Sequence, residues 1–99
     1  TGLGNGIAIP HGKIKGLAGV TAVFARLYQP IDFDAVDDQP VDLVVMLLAP
    51  EGAGADHLKA LSRVARLLRA EGVVDRLRTT KDEAKLRDIL VTPLEANAA

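Results

Sequence analysis

Residues 41–49 read VDLVVMLLA, an apolar run interrupted only by Asp42 and closed by Pro50 and Gly52. A run of this length, valine-rich and bounded by breakers, has the pattern of a central strand buried on both faces. Upstream, residues 20–28 (VTAVFARLY) are rich in β-branched and aromatic side chains and read as a second strand. Downstream the period changes. Leu58, Leu61, Ala65 and Leu68 recur at helical spacing with Val64 on the same side, while Arg63, Arg66 and Arg69 fall off that stripe. Asp56 is placed to cap this helix and Gly72 to end it. Residues 73–79 give a short second helix. Thr80 stands three before Glu83, the spacing of a capping box, and opens a third helix carrying Leu86, Ile89 and Leu90.

The first forty residues are less regular. GLGNG at 2–6 reads as a loop, because glycine reaches positive φ at little steric cost. Residues 7–11 read as a short extended segment, since Pro10 biases Ile9 away from helix. Residues 12–19 form a connector with three glycines, and 29–40, with two prolines and four aspartates, a long surface connection. Strands followed by helices, with one strand covered on both faces, define an α/β fold: a layered sandwich with a mixed β-sheet flanked by helices. Two or three strands shield both faces poorly, and the sequence opens directly in turn-like residues. The expectation is therefore a domain over residues 1–91 that lacks its N-terminal helix and strand, followed by a flexible C-terminal tail at 92–99.

Composition narrows the functional classes. The chain has 99 residues, with 12 Lys and Arg against 13 Asp and Glu. A net charge of -1 argues against a nucleic-acid-coating role, and three aromatic residues offer few stacking platforms. The absence of cysteine excludes disulfides, thiol catalysis and thiolate metal sites, and is compatible with a reducing cytosol. No apolar run has the length of a membrane span, so direct membrane insertion is not expected.

Few residues are candidates for chemistry. The glycines at 2, 4 and 6 lack the G-x-G-x-x-G spacing of a dinucleotide loop, and Gly12-Lys13 is followed by Ile14 where a phosphate-binding P-loop needs Ser or Thr. They read as turn glycines, or as a place where backbone approaches a bulky anion. His11 lies between a stiffening proline and a glycine. A lone histidine is commonly a surface or core residue, but this setting would also present an imidazole to another molecule. Its neutral ring carries a nucleophilic nitrogen that needs no strong base to activate it. His57 sits in the first turn of the long helix, either as a half-buried boundary residue or beside N–H groups that favour an anion. Two histidines with Asp32, Asp34, Asp37 and Asp38 have no ligand-like spacing, so no metal and no cofactor are expected. Arg76 and Arg78 continue the arginine series, interleaved with Glu71, Asp75 and Asp82 as on a solvated face.

GLGNGIAIPHGK at 2–13 closely resembles the active-site segment of enzyme IIA domains of the bacterial phosphotransferase system, of the mannitol/fructose type. The likeness continues through PIDFDAVDDQPVDLVVMLLAPE and HLKALSRVARLL, and the style of PHGK and QPIDFDAVDDQPVDL is nearest to the nitrogen-regulatory branch. The resemblance implies a cytoplasmic phosphoryl carrier. His11 would be phosphorylated, on Nε2, by the phosphohistidine of an HPr-like phosphocarrier protein, and His57 would assist without being phosphorylated. Backbone N–H groups around Gly12 would help to hold the phosphoryl oxygens. Downstream partners would be regulatory proteins, or a IIB domain in a fructose- or mannitol-specific system. A regulatory binding module without phosphotransfer is the competing class. The family also uses an arginine upstream of the glycine segment, a position before the start of this sequence.

Overall fold

The strand at 41–49 organises the sheet. In the computed structural model, which describes residues 2–32 and 37–96, it runs from Val41 to Pro50 as β5. The other strands are β1 (Gly2–Gly4), β2 (Ile7–Ala8), β3 (His11–Ile14) and β4 (Thr21–Ile31). The helices are α1 (Ala55–Arg69), α2 (Val73–Thr79) and α3 (Glu83–Ala96). The fold is α/β with a mixed sheet. The chain divides into two compact units, Thr1–Leu61 and Ser62–Ala99, the boundary falling inside α1.

In the first unit, β2 and β3 both run parallel to β5 at one register. Ile7 and Ala8 face Leu43 and Val44, and His11 to Ile14 face Leu47 to Pro50. They are one strand interrupted at Ile9-Pro10. Proline has no N–H to give, but the Pro10 carbonyl still accepts the Leu47 N–H at 2.9 Å, so the ladder spans the break. On the other edge of β5, β4 pairs antiparallel, Thr21 with Leu48 through Arg26 with Leu43. β1 folds back onto β2 as a hairpin with Gly4 opposite Ile7. Its two-residue turn is Asn5-Gly6, with φ of 57° and 78°. Positive φ at both positions is the turn that suits strand twist, and Asn-Gly is its preferred sequence.

This arrangement corrects three expectations. GLGNG is a strand and its turn rather than a loop, and residues 12–14 are strand rather than connector. Gly12 and Lys13 carry no strand pattern of their own; pairing with β5 imposes it. β5 is central but unequally covered. Val41, Leu43, Val45, Leu47 and Ala49 are buried, whereas the alternate face is half-buried and Met46 is 40% exposed. A continuous apolar run marks a central strand without saying how well each face is covered.

The helices follow the sequence pattern with shifts at their ends. α2 has the expected bounds. α1 stops at Arg69, and Gly72, in the left-handed conformation at φ 80°, starts α2 instead of ending α1. Asp56 lies within the first turn of α1, where its charge favours the positive end of the helix without capping it. The cap of α3 is Asp82, whose Oδ1 accepts the Ala84 N–H at 2.8 Å; Thr80 instead closes α2, its N–H donating to the Arg76 carbonyl. α3 continues through Thr92 and Pro93 to Ala96, past the expected start of the tail, because Leu94, Glu95 and Ala96 are good helix formers. Leu86, Ile89 and Leu90 lie half-buried along it, as expected.

Candidate functional site

His11 opens β3 opposite Leu47, just after the break at Pro10. Its ring is exposed, and its Nδ1 lies 3.1 Å from the Ile9 carbonyl oxygen. A carbonyl can only accept, so this contact places the proton on Nδ1 in the neutral ring. Nε2 is then left with its lone pair.

His57 reaches the same place from the segment that follows the C-terminal end of β5. After Pro50 a tight turn, held by the Ala53 N–H on the Pro50 carbonyl, leads into α1. His57 stands in that helix's first turn, and its ring centroid is 5.5 Å from that of His11, the planes tilted by 45°. It is only 7% exposed. Its Nδ1 is buried and, among the described residues, has no hydrogen-bond partner. An orphaned buried polar group costs about 1–3 kcal/mol. The neutral tautomer with Nδ1 bare avoids burying an unpaired N–H, and it leaves Nε2–H as a donor. The two rings are thus complementary: His11 offers a bare Nε2 and His57 an N–H.

Among the described residues, other candidates do different work. The anion approached by the glycine-rich backbone is the chain's own Asp37. Its Oδ2 accepts the Asn5 N–H at 2.9 Å and its Oδ1 the Gln39 N–H at 3.1 Å. A Cβ at Gly4, where φ is +87°, would lie 3.1 Å from Oδ2. These bonds, Asn5 first, hold the Asp37 carboxyl below its usual value of 3.8. Gly12 does not donate its backbone to the site. Leu47 bonds to Pro10 on one side of the His11–Leu47 pair, and the same slanted ladder takes up the Gly12 N–H on the other. No group of three His, Asp or Glu side chains among the described residues is placed to hold a metal ion. No helix among them is long and apolar enough to cross a membrane. Asp34 lies outside the described residues.

The sequence reading sets His57 at the edge of the apolar stripe of α1, and in the structure it is buried. The buried or half-buried positions of α1 are His57, Ala60, Leu61, Val64, Ala65, Leu67 and Leu68, and Leu58 is 64% exposed. Spacing back from Val64 by four and seven residues reaches Ala60 and His57, and four back from Leu61 reaches His57 again. The pattern counts Leu58 in the apolar stripe, and the structure turns it to the exposed side.

Over residues 1–92 the chain matches the family described as phosphoenolpyruvate-dependent sugar phosphotransferase system, EIIA 2. It belongs to that family. It is 55% identical, over 94% of its length and 61% of the relative's, to a nitrogen regulatory protein of Bradyrhizobium diazoefficiens. It is 41% identical to a fructose-specific EIIA component of Haloferax volcanii, over 96% of its own length and 62% of the relative's. The crystal structure of the nitrogen regulatory protein IIA-Ntr from Neisseria meningitidis superposes with a TM-score of 0.85 at 41% identity. That match covers 92% of this chain and 62% of that one. The chain thus spans about three fifths of the length of these relatives.

Proposed function

We propose that this chain carries a phosphoryl group on His11 Nε2, received from the phosphohistidine of an HPr-like phosphocarrier protein, and serves a nitrogen-related regulatory role in the cytoplasm. The observation that carries the reading is the His11 ring itself. It is exposed, its Nδ1 is tied to Ile9, and a second imidazole lies 5.5 Å away. Phosphoryl transfer between two nitrogens asks the protein chiefly for positioning and charge stabilisation. The Nδ1–H bond to Ile9 fixes the attacking nitrogen. The His57 Nε2–H and the start of α1 supply donors for the equatorial oxygens. One hydrogen bond from an imidazole holds these oxygens less tightly than a bidentate arginine clamp would. That suits a group that must be handed on.

The 55% identity to a nitrogen regulatory protein supports the regulatory branch. A second reading, a fructose-specific component that passes phosphate to a IIB domain, is supported by the 41% identity to the Haloferax protein. The test is incubation with phosphorylated HPr-like carrier and detection of acid-labile phosphate on the chain. Label is expected on wild type and absent from His11→Ala. His57→Ala is expected to slow labelling by about 10²-fold, the size of effect seen when one oxyanion donor is removed. An unlabelled wild type leaves only a binding module. Offering the labelled chain a fructose-type IIB domain separates the branches, because only the sugar-specific component should lose its phosphate to it.

A further inference from the structure

A phosphoryl group brings close to two negative charges to the site, and neither imidazole carries a permanent positive charge to meet them. Lys13 does. In β3 the side chains alternate between faces, so His11, opposite Leu47, and Lys13, opposite Ala49, project from the same side of the sheet. Gly12, between them, lies on the other side. Two residues of strand separate their Cα atoms by roughly 6.6 Å, within the span of a lysine's flexible four-carbon stem. Lys13 is exposed, and it makes no ion pair among the described residues. Lys15 lies beyond the end of the paired strand at Ile14.

We propose that Lys13 is a catalytic residue of the transfer, its ammonium meeting the phosphoryl oxygens as the group arrives on His11. This rests on the phosphoryl-carrier reading above. In the step, the lone pair of His11 Nε2 forms the new P–N bond while the donor's P–N bond breaks, and that electron pair returns to the donor nitrogen. The proton stays on Nδ1 throughout, donated to the Ile9 carbonyl oxygen. Lys13 moves no proton. It contributes N–H donors and one positive charge, more in the transition state and product than in the empty site.

The test compares wild type, Lys13→Ala and Lys13→Arg with two donors, phosphorylated HPr-like carrier and potassium phosphoramidate, whose leaving group is ammonia. Lys13→Ala is expected to slow transfer from both donors by about 10- to 100-fold, somewhat less than loss of a buried oxyanion donor because this ammonium is wet. It should also shorten the lifetime of phosphate on His11. Lys13→Arg should restore most of the rate, and the wild-type advantage should shrink as salt rises. Unchanged urea midpoints show that the effect is not structural. A Lys13→Ala chain with wild-type rates and lifetime overturns the proposal alone, as does an effect confined to the protein donor, which would place Lys13 in docking. A wild type that takes label from neither donor overturns the carrier reading as well.

Discussion

An alanine at position 12 would meet no atom within 4 Å of its Cβ, whereas one at position 4 would press on Asp37 from a backbone with φ of +87°. The two glycines of the GLGNGIAIPHG stretch therefore answer to different demands. Gly4→Ala is expected to cost about 1–3 kcal/mol, the usual size of a strained backbone position. Gly12→Ala should leave stability unchanged or raise it by about 0.4–1 kcal/mol, because alanine restricts the unfolded chain at a site it can occupy. Urea denaturation of both variants measures this. Sequence reasoning recognised that glycines at 2–6 serve turns. It could not see that Gly12 faces away from His11, because facing is set by the strand's register with β5. His11 and His57 were legible as types and positions; the bond from Nδ1 to Ile9 and the 5.5 Å between the rings were not.

Among the elements, α1 shows how one polar residue can mislead a periodic reading. Leucines at 58 and 68 look equivalent in the sequence, yet Leu58 is 64% exposed and Leu68 is buried. Leu58→Ala is expected to change stability by no more than about 0.5 kcal/mol, and Leu68→Ala to lower it by about 2–5 kcal/mol. Thermal or urea unfolding of the pair distinguishes the two stripes. β5 and α2 were legible because their patterns are local. β3 was not. Gly12 and Lys13 have poor strand propensity, and the backbone there is extended because an open edge of β5 lies beside it. The cap of α3 was misplaced by two residues because Thr80 and Asp82 are both capable caps, and only geometry shows which carboxylate or hydroxyl reaches the free N–H groups.

At the scale of the whole molecule, Asp37 ties the Asn5 turn to residues 32 positions later in the chain. Because these backbone N–H bonds favour the ionised carboxylate, its folded-state pKa lies below 3.8. The sign follows from linkage. The contribution to stability is complete above the unfolded value and disappears as pH falls through the lower folded value. Asp37→Asn is expected to lower the urea midpoint at neutral pH, and the difference from wild type should vanish in acid. A gap between the two midpoints that stays constant down to the lowest pH would show that the carboxylate's charge contributes nothing. The mixed α/β class was readable from strand and helix order; this tie was not, since nothing local links residue 5 to residue 37. The bond that aims His11 has the opposite character. The carbonyl that orients its ring is that of Ile9, two residues back in the break between β2 and β3. Ring and strand therefore travel as one lever: a slide or tilt of the sheet edge relocates the reacting nitrogen without changing which nitrogen reacts.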